Sequence, residues 1–431
     1  MEMIEQGISS HSNVIGRVKN IYTATAIIIL TAVVVLALIN LLLFGVFYIK
    51  DSMEAVQLPK RPKDNGRLFN SDGSPVNNGR RSGYELTWFD YRSYENIPEE
   101  YAADVLDDFY DLSRLGFIYQ PWVQFSEPPF SGKRVHIDRD ARGFPARRTI
   151  NPAAQTKRPT ITIFVFGGST TFGYFVSDEH TWPSYLSRIL NETSGVDVQV
   201  TNYGRGYFNP SQETVLLQDL LKSGHRPSLV VFMDGLNPPR AIDVPKFTKA
   251  VAESYRQLQF PPSYSEQFAW IPIIRLTNFL GRGLVGKATA DTAPTMDTKT
   301  LVENAVNGFR QDRDISRAIA TLYDVPALFF LQPNSVYNYD THLFRNQSSL
   351  QGLRDDRAFM TGLYERLKSD KEYIDLSDLF AKWGDRKAVV DDCHYSPGFN
   401  EFLAHRVAEF IHVDLLKRRD MAAPTGGVRT Q

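Results

Sequence analysis

The sequence has very little cysteine and almost no net charge. Cys393 is the single cysteine among 431 residues, which excludes an intrachain disulfide and a zinc site built from several cysteines. The net charge is −1 at pH 7 and no block of basic residues alternates with aromatics, so nucleic acid is not an expected partner. With 42% hydrophobic residues, the chain can instead bury a substantial core, as one large domain or two modest ones.

One apolar stretch, residues 21–49, is long enough to cross a membrane. It carries no charge and is dominated by Ile, Leu, Val and Ala, and a spanning helix needs about 20 such residues. It is too long for a typical secretory signal, and no clear small-residue cleavage site follows it. It therefore predicts an uncleaved signal anchor, with a buried helix of a soluble protein as the alternative. The flanking basic residues decide little about orientation, since long domains translocate largely regardless of them.

Changes in composition divide the chain into segments. The predicted segments are an N-terminal tail (1–20), the transmembrane signal anchor (21–49), a linker (50–83), an extension packed on the main domain (84–159), the main domain (160–417, with a cap insertion at about 238–300) and a disordered tail (418–431). The extension is rich in aromatic residues and predicts a helix from Pro98 to Leu115, followed by short extended pieces.

Strands and helices alternate along the main domain. The predicted strands are Ile161–Phe166, Val196–Asn202, Leu229–Met233, Ala327–Leu331 and a short one around Tyr373–Leu376. The predicted helices are Trp182–Asn191, Pro210–Lys222, Val302–Tyr323, Arg354–Lys368 and Pro397–Leu416. Such alternation indicates an α/β fold, with helices on both faces of a mostly parallel sheet.

The segment from Ile161 to Gly173 carries the first candidate for chemistry. Its apolar run predicts a buried strand, and Gly167-Gly168-Ser169 follows where a helix can begin. A serine at the carboxyl end of a strand lies at the rim of the sheet, and the next helix presents unpaired N–H groups to a developing negative charge. Ser169 is therefore a candidate nucleophile. An ordinary Gly-Ser turn and a phosphate-binding loop remain the alternatives.

A second motif, Asp391-Asp392-Cys393-His394, precedes the last predicted helix. A nucleophilic serine needs a base to take its proton and a carboxylate to orient that base. Asp391 and His394 lie three residues apart in one loop, so both can face the same rim, and the Ser-Pro that follows places His394 at a helix entrance. A thiol nucleophile is disfavoured because Cys393 adjoins His394 on the same loop, and a metal site is disfavoured because ligands do not cluster.

Two more strand ends offer donors for an oxyanion. Gly204 and Gly206 follow one predicted strand, and Asn237 follows the next. Acyl transfer passes through a tetrahedral intermediate whose charge must be stabilised. A glycine lets its N–H approach closely, and an asparagine amide adds a second donor. Turns after strands often carry Gly and Asn, so each donor turn alone is weak evidence. The candidate nucleophile, the candidate base and both donor turns all fall at strand ends or in one terminal loop, however, and this shared location is much harder to attribute to chance.

In this order, the motifs resemble the four blocks of the SGNH (GDSL-like) hydrolase family. Gly167 to Gly173 is similar to the first block, with Gly168 where many members have Asp. The remaining blocks are resembled by Asn202 to Gln212, Gly235 to Asn237, and Asp391 to His394. The resemblance covers about residues 160–417 and implies a flavodoxin-like α/β/α sandwich of three layers.

The resemblance also implies a catalytic triad. Ser169 would be the nucleophile, His394 the general base and then the general acid, and Asp391 the residue that orients His394. An acyl-enzyme would form on Ser169 and be resolved by water, with no metal and no organic cofactor.

The same resemblance implies three oxyanion donors: the Ser169 N–H, the Gly206 N–H and the Asn237 amide. The glycine spacing of the second block differs by one residue from the commoner pattern, so Gly206 is preferred and Gly204 is the second choice. Pro238 replaces the acid that often follows the asparagine, which alters the support of Asn237 and leaves its role intact.

A looser resemblance concerns the segments Phe329 to Pro333 and Tyr337 to Asp340. They are similar to segments of membrane-anchored bacterial proteins associated with cell-surface polysaccharides, which implies O-acetyl groups of a surface glycan as the substrate, with a lipid or other carboxylic ester as the alternative. Gln332 and Tyr337 would lie near the same sheet edge, as substrate-binding or as packing residues.

The expected function is therefore a membrane-anchored serine esterase or deacetylase, tethered by its N-terminal helix, with the catalytic domain on the extracytoplasmic side, in the periplasm or at the cell surface. Two alternatives remain. One is an O-acyltransferase that uses the same triad, and the other is a non-catalytic component of a polysaccharide assembly system.

Overall fold

The structure, a computed structural model, describes residues 2–56, 89–153, 159–239, 271–276, 297–343 and 350–412, with side chains in the first range described for residues 19–49. Most of the predicted linker and cap insertion, and all of the predicted C-terminal tail, lie outside these residues. The chain divides into two compact units: residues 1–60 with 253–294, and residues 61–252 with 295–431.

The first unit contains one long helix, α1 (Glu2–Val56). Its segment Lys19–Ile49 has a mean hydropathy of 3.1, and 0% of its apolar window is buried. By length and composition it is a candidate membrane span, and a signal sequence would meet the same criteria. Asn40 Oδ1 accepts a hydrogen bond of 3.1 Å from the N–H of Ile273. The helix continues past the predicted start of the linker at residue 50 because residues 50–58 contain no Gly or Pro.

The second unit begins with a mixed segment. Its elements are α2 (Glu99–Leu115), β1 (Ile118–Gln120), β2 (Gln124–Ser126), β3 (Phe130–Ser131), β4 (His136–Arg139) and β5 (Pro145–Arg147). The predicted helix Pro98–Leu115 is confirmed, with Pro98 as its N-cap. Strands β1 and β2 form a hairpin, and β3 to β5 form an antiparallel meander that joins the main sheet where Arg147 pairs with Asn202.

The alternating elements of the main domain follow. They are β6 (Thr160–Gly167), α3 (Ser169–Phe172), α4 (Trp182–Ser194), β7 (Asp197–Asn202), α5 (Pro210–Lys222), β8 (Leu229–Asp234), α6 (Thr298–Leu322), β9 (Ala327–Leu331), α7 (Ser335–Asn338), α8 (Leu350–Leu367), β10 (Ile374–Asp375), α9 (Leu379–Trp383) and α10 (Pro397–Ala408). Strand β9 and helix α5 have the predicted bounds.

Among the described residues, eight strands form the main sheet in the order β10-β9-β8-β6-β7-β5-β4-β3. The five strands from β10 to β7 are parallel. Counted from β6, their order is 2-1-3-4-5, which is the flavodoxin-like arrangement. The predicted α/β fold with a mostly parallel sheet is confirmed.

Side chains alternate between the two faces of the sheet, as the period of two in a strand requires. On one face, Ile163 and Val165 of β6 pack with α4, α9 and α10. On the other face, Phe164 and Phe166 pack with α5, α6 and α8. Both cores are buried, so the sheet lies between two helical layers.

Helix α10 is shorter than predicted. It was expected to reach Leu416, but it ends at Ala408 with Glu409 as its C-cap. The N–H groups of Phe410 and Ile411 bond to carbonyl groups three residues earlier, so the last turn tightens and the helix stops. The hydrophobic pattern of the sequence extends past the end of the helix because Ile411, which follows it, is also buried in the core.

Candidate active site

Ser169 lies at the switch point of the sheet. It is the first residue of α3, directly after β6 and its N-cap Gly168, and it is partly buried. Strand β6 has β7 on one side and β8 on the other, so chain connections leave in both directions from this point. Crevices at the carboxyl ends of such strands are where open α/β sheets bind ligands. The predicted nucleophile therefore lies where this fold offers a site.

His394 and Asp391 form the predicted hydrogen-bonded pair. The distance from His394 Nδ1 to Asp391 Oδ2 is 2.6 Å, and the side chains are 14% and 8% exposed. Asp391 Oδ1 also accepts from the backbone N–H groups of Cys393 and His394, at 2.9 and 2.7 Å. The carboxylate is thus held by its own loop while it faces the imidazole.

The pair shifts its own pKa values. Burial alone would lower the pKa of His394, but the charge and hydrogen bond of Asp391, together with the Asp392 charge, outweigh burial and raise it above 6.5. Burial would raise the pKa of Asp391, but His394 and the two backbone donors outweigh it and lower that pKa. A proton shared by the pair therefore resides on the imidazole, as a base oriented by a carboxylate requires.

The loop of this pair is fixed by distant parts of the chain. Tyr395 pairs with Val389 in an antiparallel bridge, and its hydroxyl donates to the Pro333 carbonyl after β9 at 2.6 Å. From the other side, the Asp90 N–H donates to the Val390 carbonyl at 2.7 Å, and Lys387 Nζ lies 2.9 Å from Asp90 Oδ2. Asp90 and Pro333, which are far apart in the sequence, thus hold the loop in place.

Aromatic residues connect His394 to the segment of Ser169. The His394 ring stacks on Tyr174 with ring centres 5.3 Å apart, and it meets the edge of Phe175 at 5.5 Å. The Tyr174 N–H donates to the Ser169 carbonyl at 3.1 Å. The His394–Asp391 pair therefore lies against the turn that begins with Ser169.

Asn237 lies beside the turn that contains Gly168 and Ser169. Its Nδ2 donates to the Phe208 carbonyl at 2.8 Å, which uses one of the two amide hydrogens. A Cβ atom added to Gly168 would lie 2.6 Å from this nitrogen. The absence of a side chain at Gly168 is thus what admits the amide next to Ser169.

Gly206, the preferred second oxyanion donor, has a different partner. Its N–H donates to Glu127 Oε1 at 2.7 Å. The second choice, Gly204, donates to Asn202 Oδ1 at 2.9 Å. Each of the two N–H groups therefore already has an acceptor within the protein.

Glu127 is a buried residue of the site region that sequence reasoning missed. It is 2% exposed and also accepts a hydrogen bond of 3.2 Å from the Tyr174 hydroxyl. Arg205 Nε lies 4.0 Å from its other oxygen. Burial raises the pKa of Glu127, and Arg205 and the Gly206 N–H offset only part of that rise. No local pattern around Glu127 could have pointed to it, since its partners lie 47 to 79 residues away.

The two predicted substrate-binding residues have protein partners. Gln332 is buried, and its Oε1 accepts from Thr170 Oγ1 at 2.8 Å, so it supports α3 directly after Ser169. The Tyr337 ring stacks on Tyr364 at 4.8 Å, and its hydroxyl donates to Glu365. Gln332 therefore contacts α3 directly after Ser169, and Tyr337 packs against α8.

Asp391, Cys393 and His394 also bring a carboxylate oxygen, a thiol and an imidazole nitrogen within 4.8 Å of one another. Burial and the charges of Asp392 and Asp391 raise the pKa of the Cys393 thiol well above its ordinary value. Metals bind the thiolate, and Nδ1 already bonds to Asp391, so this arrangement fits a hydrogen-bonded pair better than a ligand set.

No family model and no curated protein matches the sequence. Similar solved structures include a lipolytic protein of the G-D-S-L family from Veillonella parvula DSM 2008, which is 13% identical, with 58% of this chain and 98% of that chain covered and a TM-score of 0.32. The psychrotrophic esterase EstA from Pseudoalteromonas sp. is 12% identical, with coverages of 59% and 98% and a TM-score of 0.31. A two-domain esterase described as active on acetylated mannans is 12% identical, with coverages of 60% and 50% and a TM-score of 0.29.

Proposed function

We propose that this chain is a serine ester hydrolase that works through an acyl-enzyme on Ser169. The observation that carries the proposal is the 2.6 Å bond between His394 Nδ1 and Asp391, in a pair whose imidazole stacks on the residue five positions after Ser169. With Nδ1–H donated to the carboxylate, Nε2 is the nitrogen left to accept a proton from the Ser169 hydroxyl.

The proposed reaction follows from these roles. As the Ser169 oxygen attacks the ester carbonyl, its proton moves to His394, and the tetrahedral oxyanion receives hydrogen bonds from the Ser169 N–H and the Asn237 amide. His394 then protonates the leaving alcohol as the C–O bond breaks. Water, deprotonated by the same imidazole, attacks the acyl-enzyme, and Ser169 leaves with the proton.

The proposed substrate is an O-acetyl group of a cell-surface polysaccharide, with a lipid ester as the competing choice. The candidate span Lys19–Ile49 supports it, since a membrane tether would keep the site near envelope esters. The same acyl-enzyme would serve an O-acyltransferase if a sugar hydroxyl replaced water. The products distinguish the two: free acetate indicates hydrolysis, and transfer of acetyl to an added glycan indicates the transferase.

The test uses the full-length chain in mild detergent with an aryl acetate as substrate. Ser169→Ala and His394→Ala should each lower kcat by about 10⁴-fold or more, because the triad acts as a unit. The matched controls are Ser369→Ala and His405→Ala, at exposed positions on or after other helices, which should retain full turnover. A fluorophosphonate probe should label the wild type and not Ser169→Ala. A folded wild type without turnover or labelling would refute the proposal.

A further inference from the structure

The imidazole of the proposed site rests on a ring whose hydroxyl is held by a buried carboxylate. The Tyr174 ring and the His394 ring are stacked, with an interplanar angle of 21°. The Tyr174 hydroxyl donates to Glu127 Oε1. The surface under His394 is therefore set by a residue of the segment that precedes the main domain.

The same carboxylate oxygen holds the turn after β7. Glu127 Oε1 accepts from the Gly206 N–H at 2.7 Å as well as from Tyr174. A Cβ atom on Gly206 would lie 2.6 Å from the Tyr174 hydroxyl oxygen and 2.9 Å from Glu127 Oε1. The three residues therefore pack against one another, and the Glu127 carboxylate contacts both the Tyr174 hydroxyl and the Gly206 N–H.

Burial of Glu127 next to Arg205 has a free-energy cost. Arg205 is 1% exposed, and its Nε is 4.0 Å from Glu127, so two ionisable groups are buried together. Burying such a pair costs several kcal/mol per ion, and an apolar replacement is often as stable. Buried polar networks that are retained despite this cost are candidates for fixing one geometry.

The neighbouring backbone is also constrained. Phe175, which meets the edge of His394, has a φ of +60°, a conformation that bulky residues rarely adopt. Its carbonyl accepts a hydrogen bond from the Tyr94 hydroxyl. A contact from the preceding segment thus accompanies a strained conformation at a residue that meets the imidazole edge-on, and such strain clusters at functional sites.

We propose that Glu127 is a positioning residue of the proposed esterase: by holding the Tyr174 hydroxyl and the Gly206 N–H, it fixes the plane of the His394 imidazole. The inference rests on the proposed function. It requires that Glu127 act on kcat, since the transfer of the Ser169 proton depends on the orientation of the imidazole, and that ester binding be left nearly unchanged.

The test compares Glu127→Ala and Tyr174→Phe in the full-length chain. Misplacement of a catalytic group by about 1 Å costs about 10²-fold, so Glu127→Ala should lower kcat by about 10- to 100-fold with KM within about twofold. Tyr174→Phe keeps the ring and removes the bond, so we expect a loss of about tenfold, and the double variant should be no slower than Glu127→Ala. The control is Asp108→Asn, a buried carboxylate that accepts three backbone N–H bonds elsewhere in the same segment.

A spectroscopic measurement separates positioning from general stability. The short His394 Nδ1–H bond should give a far-downfield proton resonance, which Glu127→Ala and Tyr174→Phe should shift or broaden. Asp108→Asn should lower the melting temperature but leave this resonance and kcat unchanged.

The possible failures are distinguishable. A folded wild type that lacks turnover and probe labelling overturns the proposed function. An active wild type whose Glu127→Ala variant retains kcat and the resonance overturns the positioning role. If Glu127→Ala does not fold, Tyr174→Phe decides, and a Tyr174→Phe enzyme with wild-type kcat and an unshifted resonance also overturns it.

Discussion

Gly168→Ala should reduce catalysis far more than stability. Gly168 has φ −78° and ψ −155°, an extended conformation with a negative φ, so the change to alanine requires no left-handed backbone. The new Cβ would lie 2.6 Å from Asn237 Nδ2 and 3.3 Å from the Phe208 carbonyl oxygen. The first contact is too short to persist, and the atom that must move is the end of the Asn237 side chain.

The size of the effect follows from that displacement. An ordinary contact begins at 3.4 Å, so the amide must retreat by 3.4 − 2.6, or about 0.8 Å. It would also weaken its 2.8 Å bond to the Phe208 carbonyl. Removal of one oxyanion donor costs about 10²- to 10³-fold in kcat, and a displacement near 1 Å costs about 10²-fold. We expect kcat to fall by about 10²-fold, with a loss in the free energy of unfolding of about 1 kcal/mol, the value of one hydrogen bond.

The assay is aryl acetate turnover beside chemical denaturation, for the wild type, Gly168→Ala and a control. Gly398→Ala is the matched control, because a Cβ there meets Trp383 at 3.4 Å, an ordinary contact on α10. It should leave kcat unchanged. Unchanged kcat in Gly168→Ala would refute the placement of Asn237 at the oxyanion. A collapse of stability would show that the amide cannot move as described.

Three further predictions concern pH and buried charge. The raised pKa of His394 places the acid limb of the kcat/KM profile above pH 6.5, since only the neutral imidazole accepts a proton, and a limb below pH 6 would contradict this. Burial, and then the charge of Asp234, raise the pKa of Glu213 well above its ordinary value, and burial raises the pKa of Asp234 to about 7. Both groups therefore keep their protons in the folded state at a pH where the unfolded chain has lost them, so the folded state loses stability as pH rises from about 4 through 7. Glu213→Gln should therefore raise the melting temperature relative to the wild type more at pH 8 than at pH 5, and an equal gain at both would be inconsistent with the argument. Asp178→Ala leaves the fully buried Arg147 without its 2.7 Å partner and should cost about 3 to 5 kcal/mol by denaturant titration, against less than 1 kcal/mol if the pair contributes nothing.

Local chemistry accounts for what could be predicted from sequence. Helix α5 has its predicted bounds because Pro210 follows an Asn209 N-cap with a full capping box, and its leucines recur at helical spacing on the sheet side. The Ser169 turn and the Asp391–His394 loop were also predictable because their signals are local. In both, the candidate catalytic residues and their neighbours are adjacent in sequence or three residues apart.

The rest depends on distant residues. Strand β5 is only three residues long and pairs with β7 at a single position. Its hydrophobic periodicity is therefore too short to predict that it extends the sheet. Glu127 is a single acid before two prolines, and its acceptor role appears only when Tyr174 and Gly206 fold against it. The bond from the Gly206 N–H to Glu127 could not be predicted for the same reason, because motif spacing carries no information on which acceptor an N–H will find.

The contact of Asp90 with Val390 and Lys387 has a consequence for biosynthesis. The ribosome makes Ser169, the proposed nucleophile, first, and His394 follows 394 − 169 = 225 residues later. At about 5 to 20 residues per second, that interval is on the order of 10 to 45 s. Throughout it, Ser169 lacks the base that the proposed mechanism assigns to it, and Asp90 lacks its contacts with Val390 and Lys387. Under the proposed mechanism, incomplete chains that end before His394 would therefore be inert, and only chains that include His394 could attack an ester.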